Sequence, residues 1–236
     1  GDRLKFNILG VTLARGGSKS IKDKNIKKIK NKPLIYHTIK EAKKSHKLTN
    51  FIVSTDTKKI ASISKKFGAD VPFLRPKKFS RDTSTSAEAL KHALLNAEKF
   101  YKKKFHYVIE LMCTNPLKTS KDIDNIINIM IKNKANSVIA VNKLFDHHPA
   151  RIKKIVKNRL CDFGIKEKLE SRRQDLKPDA FIRAGSIYAM SRNYVLKKIR
   201  YKSKVSIPYV LPQSRSINID SLNDFILAEI KMNEKR

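Results

Sequence analysis

Residues 6–25 read FNILGVTLARGGSKSIKDKN, and the rest of the chain can be placed once this stretch is understood. The run from residue 6 to residue 14 is apolar and short, which predicts a strand buried on both faces. Immediately after it come Arg15, Gly16, Gly17, Ser18 and Lys19, then Lys24 and Asn25. A glycine turn crowded with cations thus sits at the carboxyl end of the first strand, which is where open α/β sheets bind ligands. Glycines let backbone N–H groups approach an anion closely. Arg15 offers a planar two-pronged donor, and Lys19 and Lys24 offer point charges. The spacing is not that of a Walker loop: Lys19–Ser20 would need glycines at 13 and 18, where the chain has Leu13 and Ser18. The dinucleotide pattern Gly-x-Gly-x-x-Gly is also missing. This is a phosphate turn of another design.

Outward from that turn, short apolar runs alternate with segments of helical period. Asn31-Lys32-Pro33 opens a helix with Leu34, Ile35, Thr38, Ile39 and Ala42 on one face. Strands are predicted at 50–55, 70–74, 106–113, 136–142, 180–190, around 204–211 and at 216–220. Helices are expected from Asp56 to a left-handed stop at Gly68, from a Thr85/Glu88 capping box onward, over 120–133, after Ser191, and from Ser221. Such alternation predicts an α/β fold, a mostly parallel sheet with crossover helices. Between residues 145 and 180 the pattern breaks into polar, basic sequence (DHHPARIKK, EKLESRRQDLKPD), which predicts a protruding functional insertion in a single domain spanning 1–236.

Composition narrows the function classes. With 236 residues and 40% hydrophobic content the chain can bury a core. No apolar run reaches membrane-spanning length, and the reading from sequence is a cytoplasmic protein without membrane contact. Cys113 and Cys161 are the two cysteines, in no zinc spacing, and read as small buried hydrophobes. The 53 Lys+Arg against 21 Asp+Glu give a formal net charge of +32, which raises nucleic-acid binding as a second class of function. The lysines, however, are scattered through every segment and do not alternate with aromatics as a base-stacking platform requires. No specific nucleic-acid partner is expected. Asp146, His147 and His148 lack a full ligand set and read as structural or interface residues.

The turn carries a resemblance. The stretch LARGGSKSIKDKNIKKIKNKPLIYHTI resembles the opening signature of the acylneuraminate cytidylyltransferases, A-R-x-x-S-K-x-x-x-x-K-N, matched by Ala14, Arg15, Ser18, Lys19, Lys24 and Asn25. Similar segments follow in the family's order: IVSTD (52–56), LRP (74–76), SRDTSTS (80–86), TNPL (114–117), HHP (147–149), RRQ (172–174), GSIY (185–188) and INID (217–220). The resemblance implies a Rossmann-like nucleotidyltransferase fold with a mixed, mostly parallel sheet and a protruding dimerisation insertion. It implies transfer of CMP from CTP to a 2-keto-3-deoxy sugar acid, with release of pyrophosphate, by a homodimer. CMP activation of a different acid such as KDO is the alternative within that class.

Residue by residue, the resemblance puts Lys24 on transition-state charge and Arg15 and Lys19 on the departing pyrophosphate. It puts Ala14, Gly16, Ser18, Asn25, Arg75, Ser84 and Ser86 around the rest of CTP. Asp220 becomes an expected Mg²⁺ ligand and a catalytic residue, and Asn218, which stands where the family usually shows a second aspartate, is expected to offer its amide oxygen to the same ion. Asp224 is a helix-capping partner of Ser221. Arg173, Gln174, Arg183 and Tyr188 are expected to hold the acid's carboxylate and hydroxyls. Two departures fall on this side. Where sialic acid enzymes typically read Q-P-T-S-P-L-R, the chain has Met112-Cys113-Thr114-Asn115-Pro116-Leu117-Lys118, and Ala184 stands where they have asparagine. Both remove hydrogen-bonding groups and argue for an acid related to N-acetylneuraminate.

Overall fold

The expected alternation is what the chain builds in the computed structural model, which describes residues 5–17, 20–169 and 172–234. In order, the elements are β1 (Ile8–Leu13), β2 (Lys28–Ile29), β3 (Lys32–Pro33), α1 (Leu34–Lys44), β4 (Asn50–Ser54), α2 (Lys58–Lys66), α3 (Ser86–Tyr101) and β5 (Tyr107–Leu111). Then follow α4 (Ser120–Asn133), β6 (Ser137–Lys143), β7 (Lys153–Val156), β8 (Arg159–Asp162), β9 (Phe181–Ser191), α5 (Arg192–Leu196), β10 (Ile207–Val210) and α6 (Leu222–Glu234). Six strands form the main sheet in the order β10-β6-β9-β5-β1-β4. All its pairings are parallel except those of β9, which runs antiparallel to both β5 and β6.

Both faces of the sheet are covered, which is why β1 reads as an unbroken apolar run. On one face, Leu90, Ala93 and Leu94 of α3 and Val195 of α5 pack against Leu9, Val11, Val108 and Met190. On the other, α1 and α2 lay Ile35, Ile39 and Ile60 over Val53. Ile123, Ile126 and Ile127 of α4 cover Ile109 and Leu111 there as well. The five α1 positions expected to face inward are its buried residues. Thr57 caps α2 by accepting from the Ile60 N–H, and Gly68 ends it in the left-handed region at φ 97°. Ser221 and Asp224 cap α6 reciprocally, as expected.

Three expectations need correction. Residues 70–74 do not form a strand: Asp70 makes one bridge to Ile52, and Pro72, which has no N–H, prevents a longer ladder. Residues 216–220 have no strand partner either, although the Ile219 N–H donates to the Thr114 carbonyl. The stretch still alternates, with Ile217 and Ile219 buried and Asn218 and Asp220 exposed. Finally, the 145–180 segment contains the hairpin β7–β8. Its two-residue turn is Lys157–Asn158, both at positive φ, a pairing also found at Lys30–Asn31 between β2 and β3. Without a glycine these turns carried none of the usual Asn-Gly signal.

The helix that opens at the cleft depends on its cap: Thr85 Oγ1 accepts from the Glu88 N–H while Glu88 accepts from the Thr85 N–H. Thr85→Ala is expected to cost about 1 kcal/mol of unfolding free energy, read from urea titrations.

Candidate active site

At the carboxyl ends of β1 and β5 lies a cleft of about 330 Å³, lined among others by Arg15, Gly17, Lys24, Asn25, Ser86 and Thr114. β1 delivers its turn there because it is flanked by β4 and β5 in parallel register. Ala14 is fully buried and its N–H donates to the Ser54 carbonyl, which fixes where the turn leaves the sheet. The Gly16 N–H is occupied: it donates to Asp56 Oδ1 at 2.8 Å. That bond brings the backbone so close to α2 that a Cβ on Gly16 would lie 2.3 Å from the Thr57 methyl. Close approach to the Thr57 methyl is thus one reason for a glycine here, beside the ligand-facing role expected from sequence. Ser18 and Lys19 lie outside the described residues.

The cations around the cleft are held from several sides. Arg15 Nη1 donates to Asp82 Oδ1 at 2.6 Å, tying the turn to the 77–84 loop. Asn25 Nδ2 donates to the Arg15 carbonyl at 3.2 Å. Lys24 Nζ reaches across to the Ile219 carbonyl at 3.4 Å, so the segment carrying Asn218 and Asp220 borders the cleft. Arg75 is buried, with Nη2 3.5 Å from the Ser54 carbonyl and Nε without a partner among the described residues. Burial pulls its pKa down, opposed by Asp56 and reinforced by Arg15. Ser86, at the first turn of α3, lines the cleft, whereas Ser84 does not. The Ser84 hydroxyl donates to the Lys78 carbonyl and organises its own loop.

Asn218 and Asp220 point the same way. Asn218 Nδ2 donates to Asp220 Oδ2 at 2.8 Å, and a Cβ on Gly185 would lie 2.6 Å from Asn218 Oδ1. The amide thus turns its oxygen toward Gly185 and its donor toward the carboxylate. Asp220 Oδ1 accepts from no described residue. Among the described residues no three His, Cys, Asp or Glu side chains gather as a metal cluster. One exposed carboxylate still suits Mg²⁺, which keeps several waters and takes other oxygens from substrate phosphates.

The four expected acid-holding residues are not brought together. Arg173 and Gln174 line a separate cavity of about 580 Å³ at the base of the insertion, with Lys143, Phe145, His148 and Gln213. The Arg173 guanidinium stacks on Phe145 at 4.6 Å. Arg183 stacks on Tyr201 at the amino end of β9, and Tyr188 is buried farther along the strand beneath the Arg200 guanidinium. The two departures also separate: Met112 lines the first cleft, while Ala184 is buried in the core with Ile187 and Leu211. His148 is structural among these residues. Its Nδ1 accepts from the Ala150 N–H, so Nε2 carries the proton donated to the Pro178 carbonyl at 2.7 Å.

Two charged groups were not identified from sequence. Glu110, an acid inside a buried strand, lines the cleft floor. Lys118 lies beneath the cleft, 1% exposed, and its ammonium donates to Thr38 Oγ1 at 2.8 Å and to the Met112 and Asn115 carbonyls at 2.6 and 2.5 Å. It thereby ties α1 to the loop that forms one wall. Burial lowers its pKa to about 8, against the pull of Cys113, Glu41 and Asp122. Cys113, also buried, has its thiol pushed up to about 11 by burial and stays protonated.

A family model described as cytidylyltransferase matches residues 9–204 of this chain. The chain is 29% identical to the post-translational flagellin modification protein B of Campylobacter coli, over 97% of its own length and 96% of the relative's. It is 30% identical to the CMP-N,N'-diacetyllegionaminic acid synthase of Campylobacter jejuni over the same shares. In fold it is similar to the CMP:2-keto-3-deoxy-manno-octonic acid synthetase solved in complex with CTP, at a TM-score of 0.71 and 14% identity, covering 98% of this chain and 100% of that one.

Gly16→Ala is expected to weaken binding of inorganic tripolyphosphate about tenfold, by calorimetric titration, because the new Cβ must displace the turn. Adding Thr57→Ser removes the offending methyl, keeps the capping hydroxyl and is expected to restore most of that affinity. For Lys118 the linkage runs toward high pH. Its folded pKa lies below the unfolded value, so below about 8 both states hold the proton and burial of the charge weighs fully on the fold. From there to the unfolded pKa the folded state alone has lost it. The unfolding free energy of the native chain relative to Lys118→Met is therefore expected to rise by up to about 3 kcal/mol between pH 7.5 and 10.5, read from urea titrations.

Proposed function

The chain belongs to the cytidylyltransferase family, and from that premise we propose that it transfers CMP from CTP to a 2-keto-3-deoxy sugar acid of the sialic acid class, releasing pyrophosphate. The observation that carries the reading is the meeting of Arg15, Lys24, Asn25 and Ser86 in one cleft, with Lys24 joined to the Asp220 segment opposite. The relatives that match this chain from end to end include a CMP–sugar acid synthase, which supports the acid as acceptor.

In this reading the acid's 2-hydroxyl oxygen bonds to the α-phosphorus of CTP. The bond from that phosphorus to the bridging oxygen of the β-phosphate breaks, pyrophosphate leaves, and the hydroxyl proton passes to solvent. Negative charge shifts toward the leaving phosphates, so the protein's work is positioning and cationic stabilisation. Lys24 stands at the reacting phosphate. Arg15, presented by the turn and steadied by Asp82, takes the departing pyrophosphate, a role that the sequence assigns to Lys19 as well. Asn25 braces the turn through the Arg15 carbonyl, and Ser86 offers a hydroxyl to the cytidine from the start of α3. Arg75 supplies its unpartnered Nε on the Asp56 side. Asp220 would hold Mg²⁺ through Oδ1, with Asn218 orienting that carboxylate; the ion, when bound, neutralises phosphate charge.

The acid extends along the cleft wall toward Met112 and Glu110. Arg173 and Gln174 line a different cavity from that wall, at the base of the insertion, which fits a homodimer whose insertion reaches the neighbouring subunit's cleft. Exposed apolar side chains on the insertion support this: Ile155, Leu160, Phe163 and Leu169 are each more than half exposed.

Incubation with CTP, Mg²⁺ and a panel of such acids is expected to release pyrophosphate with at least one; silence with all of them, from folded protein, would refute the proposal. Lys24→Ala is expected to lower kcat about 100-fold with little change in the KM for CTP. Full turnover in that variant would remove Lys24 from the reacting phosphate.

A further inference from the structure

Asp220 reaches the cleft on a segment that belongs to no strand, so the sheet's own pairing does not set its position. Side chains hold that segment instead. Asn115, 1% exposed in the loop after β5, bridges to it: Nδ2 donates to the Arg215 carbonyl at 3.1 Å, and Oδ1 accepts from the Leu117 N–H at 2.9 Å. The Arg215 side chain is fixed from the other direction. Its Nε and Nη2 donate to the two oxygens of Asp122 at 3.1 and 2.6 Å, and Asp122 is 1% exposed in the first turn of α4. Burial pushes the Asp122 carboxyl up, but bonds from Arg215, Tyr209 and Thr119 outweigh it and keep the group below the usual carboxylate range.

Farther along, the Ile219 N–H donates to the Thr114 carbonyl at 2.9 Å, and the Ile219 carbonyl accepts from Lys24. Thr114 and Asn115 thus clasp the chain at Ile219 and at Arg215, directly before Asp220. Mg²⁺ demands near-ideal octahedral geometry, so a carboxylate that drifts by a fraction of an ångström holds it less well. In the pattern Q-P-T-S-P-L-R a serine stands at the place of Asn115. Its side chain is one atom shorter and cannot span from the Leu117 N–H to the Arg215 carbonyl.

We propose that Asn115 is a positioning residue: through the Arg215 carbonyl, with Arg215 anchored on Asp122, it sets where Asp220 meets a divalent cation bound with the nucleotide. This rests on the metal role given to Asp220 above and names the residues that aim it.

The test measures Mn²⁺ binding to the protein–CTP complex by electron paramagnetic resonance, with no acceptor acid present. Asn115→Ser is expected to weaken that binding about tenfold, while CTP without metal binds within about twofold of the native affinity by calorimetry. In metal-free protein the Ile219 N–H is expected to exchange with deuterium about tenfold faster, followed by NMR. In an Asp220→Asn background, Asn115→Ser should change Mn²⁺ affinity by less than about twofold, because the group it acts through is gone. The Asp122→Leu/Arg215→Leu double variant, which strands no charge, is expected to weaken Mn²⁺ binding in the same way and decides alone if Asn115→Ser does not fold. Unchanged Mn²⁺ affinity in folded variants overturns the inference. An equal loss in the Asp220→Asn background, or a loss of CTP affinity without metal, assigns the bridge to the cleft as a whole and overturns it too. A native protein that binds no Mn²⁺ with CTP overturns this inference and the metal role of Asp220 together. Silence of the native protein toward every acid would remove the sugar-acid reading and leave this one standing, since no acid enters the measurement.

Discussion

Parallel pairing of β1 with β4 on one side and β5 on the other brings the carboxyl ends of three strands to a single edge of the sheet. The Arg15 turn, Asp56 and the Met112–Thr114 loop all leave the sheet there, and none could reach the others if one strand were reversed. β9 completes the arrangement because it is reversed. Running antiparallel beside β5, it brings its amino-terminal half, with Arg183 and Gly185, to that same edge. The Thr114 hydroxyl donates to the Gly185 carbonyl, and the Ile219 N–H to the Thr114 carbonyl, so three distant segments are joined at one loop.

Electrostatics then shape the cleft. In a chain with formal net charge +32, crowded cations need local acids to hold a fixed geometry. Asp56 binds the Gly16 N–H and Asp82 binds Arg15. These acids brace the turn from outside and leave Arg15 and Lys24 lining the cleft. Lys118 solves a related problem below the floor. All three of its N–H groups are satisfied by a hydroxyl and two carbonyls, which is how a buried ammonium is tolerated without a carboxylate in contact.

The insertion follows a different logic from the core. Its hairpin has few buried residues and displays apolar side chains to solvent, while its base is fastened by His148 to the Pro178 carbonyl. The insertion's tip thus leaves its apolar side chains exposed, whereas the sheet beneath it buries its own within one chain.

Periodicity in the sequence determined the strand–helix order, the capped starts of α2, α3 and α6, and the inward face of α1, because these depend on neighbours within a few residues. The turn at Arg15 was equally legible, since an apolar run ending in glycines and cations has few other uses. The edges failed where partners decided the outcome. Residues 70–74 and 216–220 look like strands, but no neighbouring strand extends a ladder along them, and the Lys157–Asn158 turn takes its left-handed conformation without a glycine to announce it. The site was legible as a set of residue types and not as an arrangement. Only tertiary packing could show that the Gly16 N–H is taken by Asp56, that Ala184 faces core while Met112 faces the cleft, and that Glu110 and Lys118 are its buried charges. A side chain's chemistry is written in the chain, but its surroundings are set by segments up to two hundred residues away.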